Sequence, residues 1–184
     1  ARFSDLSQRR RFWEQLLSSS LAERAMRGED IDQQVLDQLE APVAQAGEAY
    51  LVGAGPGDAE LMTLKGLRLL QQADVVLYDA LVSPEVIDLA RRDAVLEDVG
   101  KRRGRCANSQ DFITDRILFW AKQGKRVCRL KGGDPYLFGR GGEEARALAE
   151  HEIPFEVVPG ITSAAGVGAQ AGIPMTHHGV ARSV

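Results

Sequence analysis

From residue 48 onward the chain alternates between short apolar runs and longer amphipathic ones, and this alternation is its main structural signal. Strand-like runs occupy 49–52, 74–78, 95–99, 126–130 and 155–158. Between them lie stretches at about 61–72, 84–92, 110–123 and 142–151 whose apolar residues recur at helical spacing. Ser83-Pro84-Glu85 supplies an N-cap, a proline at the first helical position and an early acid. Asn108 or Ser109 precedes the stripe Phe112, Ile113, Ile117, Leu118 and Trp120, and Gly124 stops it. Strands alternating with helices predict βαβ units and the α/β class, with a mainly parallel sheet flanked by helices.

Residues 1–45 follow another pattern. Leu6, Phe12, Trp13, Leu16, Leu17 and Leu21 recur at helical spacing, then Ile31, Val35, Leu36 and Leu39 do so after Gly28. These predict packing or dimerisation helices, a short helical segment joined by an alanine-rich linker at 42–47 to an α/β part covering 46–184. Near the other end, the small residues of 163–172 predict a short helix, and 181–184 reads as the approach to another strand. Both ends are abrupt, so a piece of a longer protein is expected.

Two loops carry the candidate chemistry. Lys131-Gly132-Gly133-Asp134-Pro135-Tyr136-Leu137-Phe138-Gly139-Arg140-Gly141-Gly142 follows a predicted strand and precedes a predicted helix. So many glycines describe a backbone that must lie close to something, with Asp134 and Arg140 offered beside it. Val52-Gly53-Ala54-Gly55-Pro56-Gly57-Asp58 follows the first strand. A dinucleotide fingerprint, with Asp79 as the ribose acid, is the obvious rival for this loop, but Asp58 stands where the third glycine belongs. Its carboxylate would also oppose a pyrophosphate at the helix N-terminus. No Gly-Lys-Ser/Thr follows, which removes a Walker-type loop as well.

Composition narrows the classes. The chain has 184 residues, 44% of them hydrophobic, and a net charge of −3, as an ordinary globular protein has. There is no membrane-length apolar run and no leader pattern. Two cysteines outside a CxxC and three histidines predict neither a disulfide framework nor a metal site, and a reducing cytoplasm fits best. Two basic knots, Lys101, Arg102, Arg103 and Arg105, then Arg126, Arg129, Lys131 and Arg140, fall where strands should end. They suit a polyanionic small molecule; nucleic acid is not expected, because aromatic interleaving and strong positive charge are both missing.

Six segments then carry a resemblance: 52–58, Met62-Thr63-Leu64-Lys65-Gly66, Val76-Leu77-Tyr78-Asp79-Ala80-Leu81-Val82, Val99-Gly100-Lys101-Arg102, Arg129-Leu130-Lys131-Gly132-Gly133-Asp134-Pro135 and Val158-Pro159-Gly160-Ile161-Thr162-Ser163. In that order, over 48–184, they resemble the tetrapyrrole methylases, and among them the uroporphyrinogen-III C-methyltransferases. Residues 1–45, with Gln8-Arg9-Arg10-Arg11-Phe12-Trp13-Glu14, resemble the end of the dimerisation region of fused siroheme synthases. The resemblance implies the first α/β lobe of a methylase with the second lobe absent, S-adenosylmethionine as cofactor and a homodimer. It also implies conversion of uroporphyrinogen III to precorrin-2, with NAD confined to a missing N-terminal module. Residue by residue it implies Asp79 as proton acceptor, Lys101 as proton donor, and Pro56, Gly132, Gly133, Asp134, Leu137, Thr162 and Ser163 as cofactor contacts. Ser163 stands where alanine is frequent, and His178 where arginine is frequent.

The residue types suit that chemistry. A pyrrole carbon is a nucleophile and a sulfonium methyl is already activated, so the protein chiefly aligns them and excludes water. Loss of a proton afterwards suits a carboxylate such as Asp79. The substrate's carboxylates suit arginine forks, with Arg102 and Arg140 as the candidates. The rivals are a standalone or cobalamin-pathway methylase, a Rossmann-type oxidoreductase, and a non-catalytic dimerising scaffold. The 184-residue piece by itself is expected to be inactive.

Overall fold

The computed structural model describes residues 3, 6–40, 47–100 and 110–180. The chain divides into two compact units, 1–45 and 46–184. In the first, helices α1 (Leu6–Leu17), α2 (Ser20–Met26) and α3 (Asp32–Glu40) gather Phe12, Leu16 and Leu21 into a small core with Phe3, Ile31, Val35 and Leu39. The first apolar run predicted one helix; two form. The Ser18 hydroxyl donates to the Glu14 carbonyl at 2.6 Å, and Ser19 Oγ accepts from the Leu21 N–H at 3.2 Å. The paired serines thus close one helix and cap the next. Leu6, Leu17, Leu36 and Trp13 are exposed on this unit.

In the second unit the five predicted strands form: β1 (Glu48–Gly53), β2 (Val75–Tyr78), β3 (Val95–Asp98), β4 (Arg126–Lys131) and β5 (Phe155–Val158). Every pairing is parallel and the order is β3-β2-β4-β1-β5. Helices α4 (Leu64–Gln72), α5 (Pro84–Ile87), α6 (Gln110–Lys122), α7 (Gly141–Glu150) and α8 (Ser163–Ala171) follow the strands in turn. On one face, Leu69 and Leu70 of α4 and Val86 of α5 cover Tyr50, Val52, Val76, Cys128 and Leu130. On the other, Ile113, Ile117 and Leu118 of α6 and Leu148 of α7 cover Leu51, Val75, Leu77 and Val127. Burial on both faces is why these strands read as continuous apolar runs, and each fully buried leucine or isoleucine contributes about 2 kcal/mol. Burial also pushes the Cys128 thiol up to about 12, so it is an inert core residue.

One of the predicted helices is shorter than expected. The helix predicted over 84–92 is only four residues long. Ser83 caps it as expected, at 3.4 Å from the Val86 N–H, but the chain beyond runs as turns, and Arg91 there is tied to Asp74 and Asp93. The N-cap expected at Asn108 or Ser109 lies outside the described residues; α6 itself forms, and Gly124 ends it at φ +75°. No helix among the described residues is long and apolar enough to cross a membrane.

Candidate functional site

The sheet order creates the site. β1 and β4 are neighbours, yet β1 leads to α4 on one face and β4 leads to α7 on the other. Their loops therefore part at the C-terminal edge, the topological switch point where open α/β sheets bind ligands. The loop after β5 joins them. The three backbones touch: a Cβ on Gly53 would stand 2.5 Å from Gly160 Cα, and one on Gly160 would stand 2.2 Å from the Gly133 carbonyl oxygen. Gly55 and Gly133 form an antiparallel bridge with N–H···O distances of 3.2 and 2.8 Å. Both have positive φ, +73° and +68°, which is the conformational reason for glycine at each.

Asp134 fixes this junction. Its Oδ1 accepts from the Tyr136 and Leu137 N–H groups at 2.8 and 2.9 Å, and its Oδ2 accepts from the Gly160 N–H at 3.0 Å. The carboxylate thus pins the β4 loop to the β5 loop while the residue stays half-buried at the cleft. Asp58, which spoils the dinucleotide fingerprint, caps the 3-10 turn Ala59–Leu61 through the Glu60 N–H at 2.9 Å.

A cleft of about 710 Å³ opens above the junction. Pro56, Asp79, Gly132, Gly133, Asp134, Leu137, Arg140, Thr162 and Ser163 all line it, so the structure brings together nine of the residues singled out from the sequence. Lys101 and Arg102 lie outside the described residues; Gly100, which precedes them, lines the cleft and packs against Ala80 and Asp79. Thr162 N-caps α8 in extended geometry but makes no side-chain cap bond. The start of α8, at Thr162 and Ser163, thus lies at the cleft without a cap from Thr162. A second, more open cavity of about 510 Å³ runs along α8 against Ile173 and Met175 and is lined by no titratable group.

The cleft wall beside Asp79 is ionic. Asp79 Oδ1 accepts from the Leu81 N–H at 3.1 Å, and its Oδ2 receives Arg129 Nη2 at 3.0 Å. Arg129 also donates through Nε to Glu144 at 3.3 Å and through Nη1 to the Leu130 carbonyl at 2.8 Å. Lys131 Nζ reaches the same Glu144 oxygen at 3.0 Å. Arg129, Lys131 and Glu144 are all buried. Burial, and then the neighbouring Arg129, push the Lys131 ammonium down from its ordinary range, against the pull of Glu144 and Asp79.

This corrects the reading of the second basic knot as groups waiting for a polyanion. Arg126 pairs with Glu48 at 2.9 Å, and Arg129 and Lys131 pair with Asp79 and Glu144. Arg140 stands at the exposed cleft rim and is forked on Glu143 at 2.9 and 2.8 Å. Arg129, Lys131 and Glu144 were missed as a unit. The signal was there: a base at two alternate positions of a strand buried on both faces, and an acid on the inward stripe Gly141, Ala145 and Leu148 of α7.

The chain matches the family model described as Tetrapyrrole (Corrin/Porphyrin) Methylases over residues 48–184, and that of the sirohaem synthase dimerisation region over 1–41. A siroheme synthase of Pseudomonas putida strain F1 is 56% identical over 99% of this chain and 40% of its own length. The chain thus spans well under half of that relative. The crystal structure of a uroporphyrin-III-C-methyltransferase from Thermus thermophilus superposes with a TM-score of 0.67 at 52% identity, covering 75% of this chain and 58% of that one. The same Thermus enzyme complexed with S-adenosyl homocysteine superposes at 0.61 and 47% identity, covering 74% of this chain and 53% of that one. The family model spans residues 48–184, most of the chain and all of the α/β unit's described strands, and the chain belongs to the tetrapyrrole methylases.

Proposed function

We propose that residues 46–184 form the first lobe of an S-adenosylmethionine-dependent C-methyltransferase that converts uroporphyrinogen III to precorrin-2. The observation that carries this is the convergence of three glycine loops on one cleft floor, with Asp79 in the wall beside it. The residues present suit the cofactor. Gly132, Gly133 and Pro56 offer a close backbone approach, Leu137 an apolar surface, and Thr162 and Ser163 the uncapped start of a helix that suits a carboxylate. When bound, S-adenosylmethionine supplies an activated methyl group.

The chain's own residues do the rest. The cleft walls orient the pyrrole carbon and exclude water. The Asp79 carboxylate, held by Arg129 and the Leu81 N–H, accepts the proton that the iminium-type system left by alkylation must lose, and Lys101 is the proton donor. Arg102 and Arg140 bind substrate carboxylates, with Arg140 exchanging Glu143 for the ligand. Residues 1–45 are the end of a dimerisation region and the natural protein is a homodimer; the match of 1–41 to the sirohaem synthase dimerisation region supports this and favours a fused siroheme synthase over a standalone methylase. NAD then belongs to a module outside this chain, and the setting is the cytoplasm.

Asp79→Asn tests the assignment in the natural full-length protein. Methyl transfer should fall by roughly 10²–10⁴-fold while S-adenosylhomocysteine affinity is retained. Equal losses in both would assign Asp79 to the fold or the cofactor instead.

A further inference from the structure

Glu144 is wholly buried on the inward stripe of α7, beside the buried bases Arg129 and Lys131. Burying such an ionic cluster costs several kcal/mol in desolvation, and an apolar core of similar volume is often as stable, so the cluster as a whole points beyond stability. Glu144 Oε1 gathers three donors: Gln110 Nε2 at 3.0 Å, Lys131 Nζ at 3.0 Å and Arg129 Nε at 3.3 Å. Its Oε2 has no hydrogen-bond partner among the described residues. These donors come from α6 and from two alternate positions of β4. Glu144 is therefore the hub through which α6, α7 and β4 fix the ionic wall. Arg129 carries that constraint onward, because its remaining nitrogens are held by the Leu130 carbonyl and by Asp79.

We propose that Glu144 is a positioning residue for methyl transfer: it fixes the Arg129 fork and, through it, the Asp79 carboxylate in the cleft wall. The inference rests on the reading of the cleft as the methyl-transfer site. The four side chains balance, Asp79 and Glu144 against Arg129 and Lys131. The groups facing Lys131 are Arg129 on its own strand, Asp79 after β2, and Glu144 and the exposed Glu143 on α7, with uncharged Gln110 of α6 on the shared oxygen. Without the Glu144 charge, Lys131 faces Arg129 with Asp79 and the solvent-screened Glu143 to offset it, and loses its proton at lower pH.

The test is Glu144→Gln in the natural full-length protein, with S-adenosylhomocysteine affinity measured by calorimetry and kcat and KM followed from neutral to alkaline pH. Cofactor affinity should hold, kcat should fall about 100-fold through misplacement of Asp79, and the alkaline limb of the kcat profile should move to lower pH. Arg129→Lys keeps the charge balance but cannot fork to both carboxylates; it should lose kcat to a similar extent and leave the limb in place. An unchanged kcat and limb in folded Glu144→Gln overturns the proposal, as does an unchanged kcat in Arg129→Lys. Parallel loss of fold, affinity and kcat in both variants would make Glu144 a fold residue and overturn it equally. If the unmutated protein does not bind S-adenosylhomocysteine, the reading of the cleft falls and this inference with it. If it does bind and the variants behave as the parent, only the inference falls.

Discussion

Phe138 and Arg140 hold φ near +56°, a left-handed conformation that side chains rarely adopt. Arg140 has a visible return, since it opens α7 and forks on Glu143. Phe138 has none inside the fold: its side chain is 99% exposed at the cleft. Strain without local compensation marks a position kept for a ligand. Phe138→Gly should therefore raise stability by on the order of 1 kcal/mol in a denaturant melt while raising the KM for the tetrapyrrole. A melt showing destabilisation would remove the argument from strain. At this scale the sequence was legible where a residue type forces a geometry, as at Gly55, Gly133 and the cap Ser83. The burial of the Arg129 and Glu144 charges was signalled, but their pairing was not: the two are 15 residues apart, and nothing local joins them.

Among the elements, the tightest constraint is the contact of the three loops after β1, β4 and β5. Gly160→Ala sets a Cβ against the Gly133 carbonyl, backbone on backbone, so no side chain can yield. A loss of about 3 kcal/mol and of cofactor binding is expected. Gly142→Ala, with nothing within 4 Å of its Cβ in the first turn of α7, should instead gain about 0.5–1 kcal/mol. A second element-level device secures the outer strand. Glu97 of β3 takes Arg116 in a fork at 2.6 and 2.9 Å and Trp120 Nε1 at 3.0 Å, both from α6. The fork holds the Glu97 carboxyl below its usual range, against desolvation. A folded-state pKa below the unfolded one stabilises above the ordinary carboxylate range and is lost as pH falls through the folded value. The wild-type advantage over Glu97→Gln should be about 1 kcal/mol or less for this partly exposed pair, present at neutral pH and gone in acid. An advantage that grows in acid would contradict the sign. The five strands were legible because short apolar runs between helical stretches leave few alternatives. The insertion of β4 between β1 and β2 was not, because pairing order is set by long-range contacts.

For the whole molecule, the matched region covers 53% of the Thermus chain solved with S-adenosyl homocysteine, so a pocket shared with the remainder of such a chain would be only partly walled here. Association is unfavourable by several kcal/mol before contacts offset it. The 184-residue chain alone should therefore bind S-adenosylhomocysteine orders of magnitude more weakly than the natural full-length protein, as comparative calorimetry would show. Comparable affinities would mean that this lobe holds the complete pocket. The two-part organisation was visible in the change of hydrophobic period near residue 46, whereas Lys101 and Arg102 rest on the motif alone.

The central claim, that the cleft lined by Gly55, Gly132 and Gly133 holds S-adenosylmethionine, is tested most directly by titrating the natural full-length protein and its Gly133→Ala variant with S-adenosylhomocysteine. The added Cβ finds its nearest neighbours, Ser163 N and Thr162 Cα, 3.9 Å away, so it meets no clash; alanine at φ +68° costs about 1 kcal/mol of backbone strain, which the melt registers, and the Cβ enters the space where the ligand backs onto the loop. Saturable binding that weakens about tenfold or more, the equivalent of about 1.4 kcal/mol, in a variant that still melts cooperatively is the predicted result. Absence of binding to the unmutated protein, or an affinity unchanged by the substitution, would contradict it.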